Sequence, residues 1–218
     1  MSAYFVTGTD TGVGKTFVCC ALLHRFAQAG RSTIGMKPVA AGLDANGSNE
    51  DVVCLQAASS VIAAPELVNP FAFKSPIAPH LAAAEEGRDI RFAPIHHALN
   101  ALRQQADVVI VEGVGGFRVP LGPEGDSADL AQTLGLPVIL VVGLRLGCIN
   151  HALLSVEAIQ ARGLKLVGWV ANCIDPALLK LEENIAALGE MIDAPLLGTL
   201  EFQSSLDAVE AAKNLRLP

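Results

Sequence analysis

Short runs made almost wholly of apolar residues recur along the 218-residue chain, at 3–6, 33–36, 108–111, 138–142, 166–171 and 196–200. None alternates polar with apolar positions, so each reads as a strand buried on both faces rather than one with a wetted side. Between them the apolar residues return every three to four positions. This helical spacing covers 17–29, closed by Gly30, and then 51–58, 80–84 and 92–104, a stretch running to about Arg162, and 206–213. Strands of this kind separated by helices predict an α/β fold: one doubly wound, mainly parallel sheet with helices on both faces. No repeat, charge block or low-complexity linker divides the chain, so residues 1–218 read as a single domain. Residues 62–79 resist assignment; Asn69-Pro70 and Ser75-Pro76 mark turns within them.

Composition narrows the function more than the fold. Hydrophobic residues make up 51% of the chain and charged ones 17%, which is the balance of a compact core and not of a disordered segment. The net charge of -7, with no cluster of Lys and Arg, disfavours a nucleic-acid surface and points to small-molecule chemistry. Cys19, Cys20, Cys54, Cys148 and Cys173 are scattered without metal-ligand spacing and read as reduced packing residues. His80, His96 and His97 do not suggest a metal site, because adjacent histidines face different sides of a helix. The N-terminal region shows no basic stretch followed by a signal-length apolar run, and residues 137–144 are too few to span a bilayer, so a cytoplasmic protein without a membrane partner is expected.

The chemistry gathers where the predicted strands end. The first strand runs into Gly8-Thr-Asp-Thr-Gly-Val-Gly-Lys-Thr16, directly before a helix. Gly12 and Gly14 free the backbone to turn its N–H groups toward phosphate oxygens at the helix N-terminus, where the macrodipole also favours anions. Lys15 adds a point charge and Thr16 a hydroxyl suited to magnesium. This is the arrangement of a P-loop NTPase-like protein, with one departure: Thr9 stands where the usual spelling has its first glycine, and Gly8 comes one place early. The third strand ends at Glu112, followed by Gly113, Gly115 and Gly116, where phosphate-loop enzymes keep the carboxylate that orients hydrated magnesium. Lys37, fixed by Pro38 at the end of the second strand, either faces the same crevice or caps a loop in solvent. Asp51 opens a helix, where a carboxylate is commonly a cap. The turn at 147–150 offers free N–H groups to a carboxylate, with plain capping by Asn150 as the alternative, and Asn172 offers an amide that could read a base.

Taken as a set, the phosphate-loop stretch from Thr7, KPVAAG from Lys37, the Asn69-Pro70 and Ala78-Pro79-His80 turns, VEGVGG from Val111, VVGLRLGCINHALL from Val141 and GWVANC from Gly168 resemble dethiobiotin synthetase, with a weaker echo in APLLG from Ala194. The resemblance implies ATP-dependent closure of a cyclic urea from 7,8-diaminononanoate and carbon dioxide, releasing ADP and phosphate, through a substrate carbamate and a carbamic-phosphoric anhydride. By motif position it implies that Lys37 and Lys15 are catalytic, and that Gly12, Val13, Gly14, Lys15, Thr16, Phe17, Asp51, Glu112, Gly113, Val114, Gly115 and Asn172 bind ATP. It gives Thr16, Asp51 and Glu112 to Mg2+, which reverses the capping preference for Asp51. Thr11, Lys37 and Ala41 would meet the substrate head group, and Gly147, Cys148, Ile149 and Asn150 its distant carboxylate across a homodimer interface. Ala41 stands where the family commonly offers a hydroxyl, so one contact to that head group is lost or supplied elsewhere. Two other classes share parts of the pattern. A partitioning-type dimeric switch ATPase would carry an extra lysine early in the loop, absent from 8–11, and an amide-forming synthase of the cobalamin-assembly type would add a glutamine-hydrolysing domain, for which 218 residues leave no room.

Overall fold

The computed structural model describes residues 1–202 and 207–218. In chain order its elements begin β1 (Ser2–Gly8), α1 (Lys15–Gln28), β2 (Thr33–Met36), β3 (Val39–Ala41), α2 (Glu50–Ala58) and α3 (Pro65–Val68). There follow β4 (Phe71–Phe73), α4 (Pro79–Glu85), α5 (Phe92–Arg103), β5 (Val108–Glu112), β6 (Pro120–Gly122), β7 (Gly125–Asp126) and α6 (Ser127–Leu134). The chain closes with β8 (Val138–Leu144), α7 (Cys148–Ala161), β9 (Leu166–Cys173), α8 (Leu181–Met191), β10 (Leu196–Leu200) and α9 (Ala208–Ala212).

Six strands form one sheet in the order β10-β9-β8-β1-β5-β2, each pair parallel. Residues Val108 to Glu112 and Val138 to Leu144 are buried throughout, as unalternating apolar runs require when helices cover both faces. The two-residue period of a strand then sorts these side chains into two layers. Val109, Val111, Leu140, Val142 and Trp169 pack on one side with helices α5 and α7. Val108, Ile110, Ile139, Val141 and Val170 pack on the other with α1 and α9. Each fully buried aliphatic side chain contributes roughly 1.5–3 kcal/mol, so the sheet is a stiff platform for whatever its edge carries.

The six predicted strands all form, most extending one to three residues further. Residues 62–79, unassigned from sequence, hold α3 and β4. Strand β4 pairs in parallel with β3, Phe71 opposite Val39, and Asn69 ties them by donating to Lys37 O at 2.6 Å and Phe71 O at 3.1 Å. Helices α6 and α8 were not singled out either. The helix expected over 206–213 corresponds to α9; Leu206 lies outside the described residues. Capping of α7 by Asn150 is not found: the N-cap is Gly147 at φ 94°, without a side-chain bond, and Asn150 sits inside the first turn.

Candidate active site

Because β1, β5 and β2 are neighbours and parallel, their carboxyl ends open on one rim. Val6 pairs with Glu112 and Met36 with Val111, so the phosphate loop, Glu112 and Lys37 emerge side by side although they are distant in sequence. Gly12 and Gly14 take φ of 73° and 85°, the left-handed region, and Gly14 is the N-cap of α1 with no side-chain cap. The first-turn N–H groups of α1 are thereby left to an anion. Lys15 Nζ arches back onto the loop and donates to Asp10 O at 2.9 Å. The early glycine has a packing reason: a Cβ at Gly8 would lie 2.6 Å from Val13 Cγ2. Thr9, in the usual glycine's place, accepts from Gly143 N at 3.4 Å and so ties the loop to β8.

Four side chains converge above this rim. Thr16 Oγ1 lies 2.7 Å from Asp51 Oδ1 and 2.9 Å from Glu112 Oε1, its single proton shared between the two acids across 35 and 96 positions of chain. Lys37 Nζ bridges Asp51 Oδ2 at 2.7 Å and Glu112 Oε1 at 2.6 Å, and reaches Gly113 O at 3.4 Å. Lys37 is 3% exposed and Glu112 1%, which rules out the solvated-lysine alternative. The cap of α2 is Asn49, accepting from Val52 N, which leaves the Asp51 carboxylate to the site.

Burial and pairing work against each other in this cluster. Burial pulls Lys37 down, but Glu112 and Asp51 outweigh it and hold the ammonium above its ordinary range. Burial likewise pushes the Glu112 carboxyl up, and there it prevails over the pull of Lys37. For the less buried Asp51, burial is outweighed by Lys37 and the carboxyl is held low. Lys15 is lowered by burial and by the like charge of Lys37. Glu112 Oε2 is buried with no hydrogen-bond partner among the described residues. A hydroxyl and two carboxylates, one of them with an orphaned oxygen, are hard oxygen donors. They fit Mg2+, which takes one or two carboxylates and completes its shell with water and phosphate.

A cavity of about 680 Å³ opens on this cluster. Thr11, Gly12, Gly14, Lys15, Thr16, Lys37, Ala41, Asp51, Glu112, Val114 and Gly115 line it, all expected from sequence. Its remaining walls include Asn49, Pro76, Ile77 and Pro79, not assigned to a site from sequence; the prolines of 62–79 were the available signal for the last three, and nothing marked Asn49. Val13 is buried beneath the loop, and Phe17 faces a second depression shared with Cys20 and Cys54. Asn172 Nδ2 donates to Val13 O at 2.8 Å, so this amide braces the loop from below. Gly147, Cys148, Ile149 and Asn150 start α7 and do not line the cavity; Cys148 is buried. Arg145, just before them, pairs with Asp10 of the phosphate loop at 2.5 Å, a link not anticipated from sequence.

A family model described as an AAA domain matches residues 2–210. An ATP-dependent dethiobiotin synthetase of Aromatoleum aromaticum is 60% identical, over 99% of this chain and 97% of the relative. Another, from Nitrosospira multiformis, is 55% identical over 94% of this chain and 90% of its own. Among solved structures, the MinD cell division protein of Aquifex aeolicus superimposes with a TM-score of 0.56 at 14% identity, over 98% of this chain and 88% of that one, a likeness of fold alone.

Proposed function

The chain belongs to the dethiobiotin synthetase family, ligases of biotin biosynthesis that use ATP as co-substrate, and from that premise we propose a mechanism in which this chain's own residues only bind, orient and neutralise. The observation that carries it is the meeting of Thr16, Lys37, Asp51 and Glu112 on the rim that also holds the phosphate loop. No protein nucleophile is required. One amine of 7,8-diaminononanoate takes up carbon dioxide and loses a proton to give a carbamate. A carbamate oxygen attacks the γ-phosphorus in line, the bond to the bridging oxygen breaks, and ADP leaves. The second amine then attacks the carbonyl carbon of the mixed anhydride, the bond from that carbon to the phosphate oxygen breaks as the ring closes, and the amine's proton leaves with the phosphate.

Each residue has a bounded part in this. Gly12 to Thr16 present backbone N–H groups, and Lys15 a positive charge, to the phosphates and to the charge that builds on them during transfer. Lys37, whose two acids favour the ammonium before nucleotide binds, is an electrostatic clamp for the carbamate. Thr16, Asp51 and Glu112 would hold Mg2+, which when bound neutralises phosphate charge. Thr11 and Ala41 border the head group, with Gly113, Val114 and Gly115 along substrate and phosphate. Asn172, its amino group given to Val13, keeps its carbonyl for adenine, with Phe17 beside the nucleoside. The N-terminal turn of α7, Gly147 to Asn150, receives the substrate's far carboxylate from the partner of a homodimer. We place this chemistry in the cytoplasm; among the described residues no helix is long and apolar enough to cross a membrane.

Phosphate release measured with diaminononanoate, bicarbonate and magnesium omitted in turn tests the reading. Activity is expected only with all three present. ATP hydrolysis independent of the diamino acid and stimulated by DNA or lipid would replace it with the switch-ATPase reading.

A further inference from the structure

The three groups assigned to the cation are not merely close; they are already closed on one another. Lys37 Nζ lies 2.7 Å from Asp51 Oδ2 and 2.6 Å from Glu112 Oε1, and the Thr16 hydroxyl spans the remaining Asp51 oxygen and the same Glu112 oxygen. Magnesium demands oxygens at about 2.0–2.1 Å, or the water shell those oxygens anchor, in near-octahedral array. Of the four carboxylate oxygens only Glu112 Oε2 has no partner among the described residues, so a divalent cation that also draws on Asp51 or on Glu112 Oε1 competes with the ammonium already seated there.

Charge points the same way. Asp51 and Glu112 face Lys37 directly, and Lys15 borders the same cavity, so two carboxylates balance two ammoniums. A lone divalent cation added to a cluster in which Lys37 and Glu112 are almost wholly buried would leave it two charges positive, with little solvent to screen them. A triphosphate arriving with the cation reverses that excess and gives Lys37 a new anion to follow.

We propose that Lys37 is the resident counter-ion of the metal site, excluding free magnesium until the nucleotide brings it in. Loading of the metal nucleotide then releases the ammonium from Asp51 and Glu112 toward the reacting centre. The device rests on the assignment of Thr16, Asp51 and Glu112 to the metal, and it gives Lys37 a role before any chemistry begins.

Mn2+ uptake by the full chain, read from the loss of the free-ion paramagnetic resonance signal, tests it without any turnover. In the absence of nucleotide, wild type is expected to take up little Mn2+, and Lys37→Met and Lys37→Gln to bind it about tenfold or more tightly, the scale of removing one close charge. Asp51→Asn in the Lys37→Met background should abolish that gain, which locates it. Thermal unfolding of the same samples shows that the variants fold, and Mn2+ should raise the midpoint of Lys37→Met more than that of wild type. Equal uptake by wild type and Lys37→Met overturns the proposal while leaving the metal site intact. Uptake by neither, with site-bound Mn2+ appearing in both only beside β,γ-methylene-ATP, also overturns it. No site-bound Mn2+ in either protein even with that analogue would instead remove the metal assignment beneath it.

Discussion

Gly14→Ala is the substitution whose consequence follows most directly from the packing around the loop. Gly14 sits at φ 85°, and a Cβ there would stand 2.2 Å from Asn172 Nδ2, which is pinned by its bond to Val13 O. Holding alanine in the left-handed region costs roughly 1–2 kcal/mol. Pushing the amide aside leaves the carbonyl of buried Val13 without its partner, about 1–3 kcal/mol more. The total of about 2–5 kcal/mol corresponds, at 2–4 °C per kcal/mol for a domain of this size, to a fall in midpoint of about 4–20 °C. Thermal unfolding measures it, and calorimetric titration with an ATP analogue should show weakened binding, since the same residue is the N-cap of α1, the helix proposed to receive the phosphates. Asn172→Ala alone loses the brace and should cost about 1–3 kcal/mol. Because removing Asn172 also removes the obstruction, the double variant should fall short of the sum of the singles by about 1 kcal/mol or more. Strict additivity, or a Gly14→Ala protein that melts with wild type, would refute the packing described between loop and β9.

Lys15→Ala should weaken nucleotide binding in a filter or calorimetric assay, whereas Lys37→Ala should keep ATP binding and lose about 10²–10³-fold in turnover, the scale of one charge-stabilising donor. Full turnover in the Lys37 variant would exclude it from the chemistry. Asp126 caps α6, accepting from the N–H groups of Ala128 and Asp129 at 2.9 Å while Asp129 returns a bond to its N–H; Asp126→Ala should cost about 1–2 kcal/mol in denaturant titration and leave substrate affinity unchanged. The Asp107 carboxyl is held below the usual range by the N–H and hydroxyl of Ser32. A depressed carboxyl contributes stability in full above its unfolded value near 4, and that contribution disappears as pH falls through the lower folded value. Asp107→Ala should therefore lower the unfolding midpoint at neutral pH and converge on wild type at the acid end of a pH series.

How much of this was legible without coordinates depended on how far apart the cooperating atoms are along the chain. The strands announced themselves because burial on both faces removes polar positions from a run, a signal contained within five residues. The phosphate loop did so because its glycines, lysine and threonine are consecutive, and Glu112 because an acid at the tip of an apolar strand is conspicuous. Segments whose structure comes from a distant partner stayed mute. Strand β4 is three residues long and exists by pairing with β3 and by the Asn69 bridge to Lys37 O. Asp51 reads as a cap until Asn49 is seen to take that place and Thr16 and Lys37 to claim the carboxylate.

By itself, then, the order of residues determined the six strands of the central sheet, most of the helices that cover it, the glycine-rich loop between β1 and α1, and the family, because periodicity and motif spacing are properties of neighbours in the chain. The strand order, the brace from Asn172, the link from Asp10 to Arg145 and the closing of Lys37 onto two acids were decided only in three dimensions. Their energies belong to pairs of groups separated by 14 to 159 residues, and hydrogen bonds and ion pairs act over a few ångströms, a distance that folding sets and sequence separation does not.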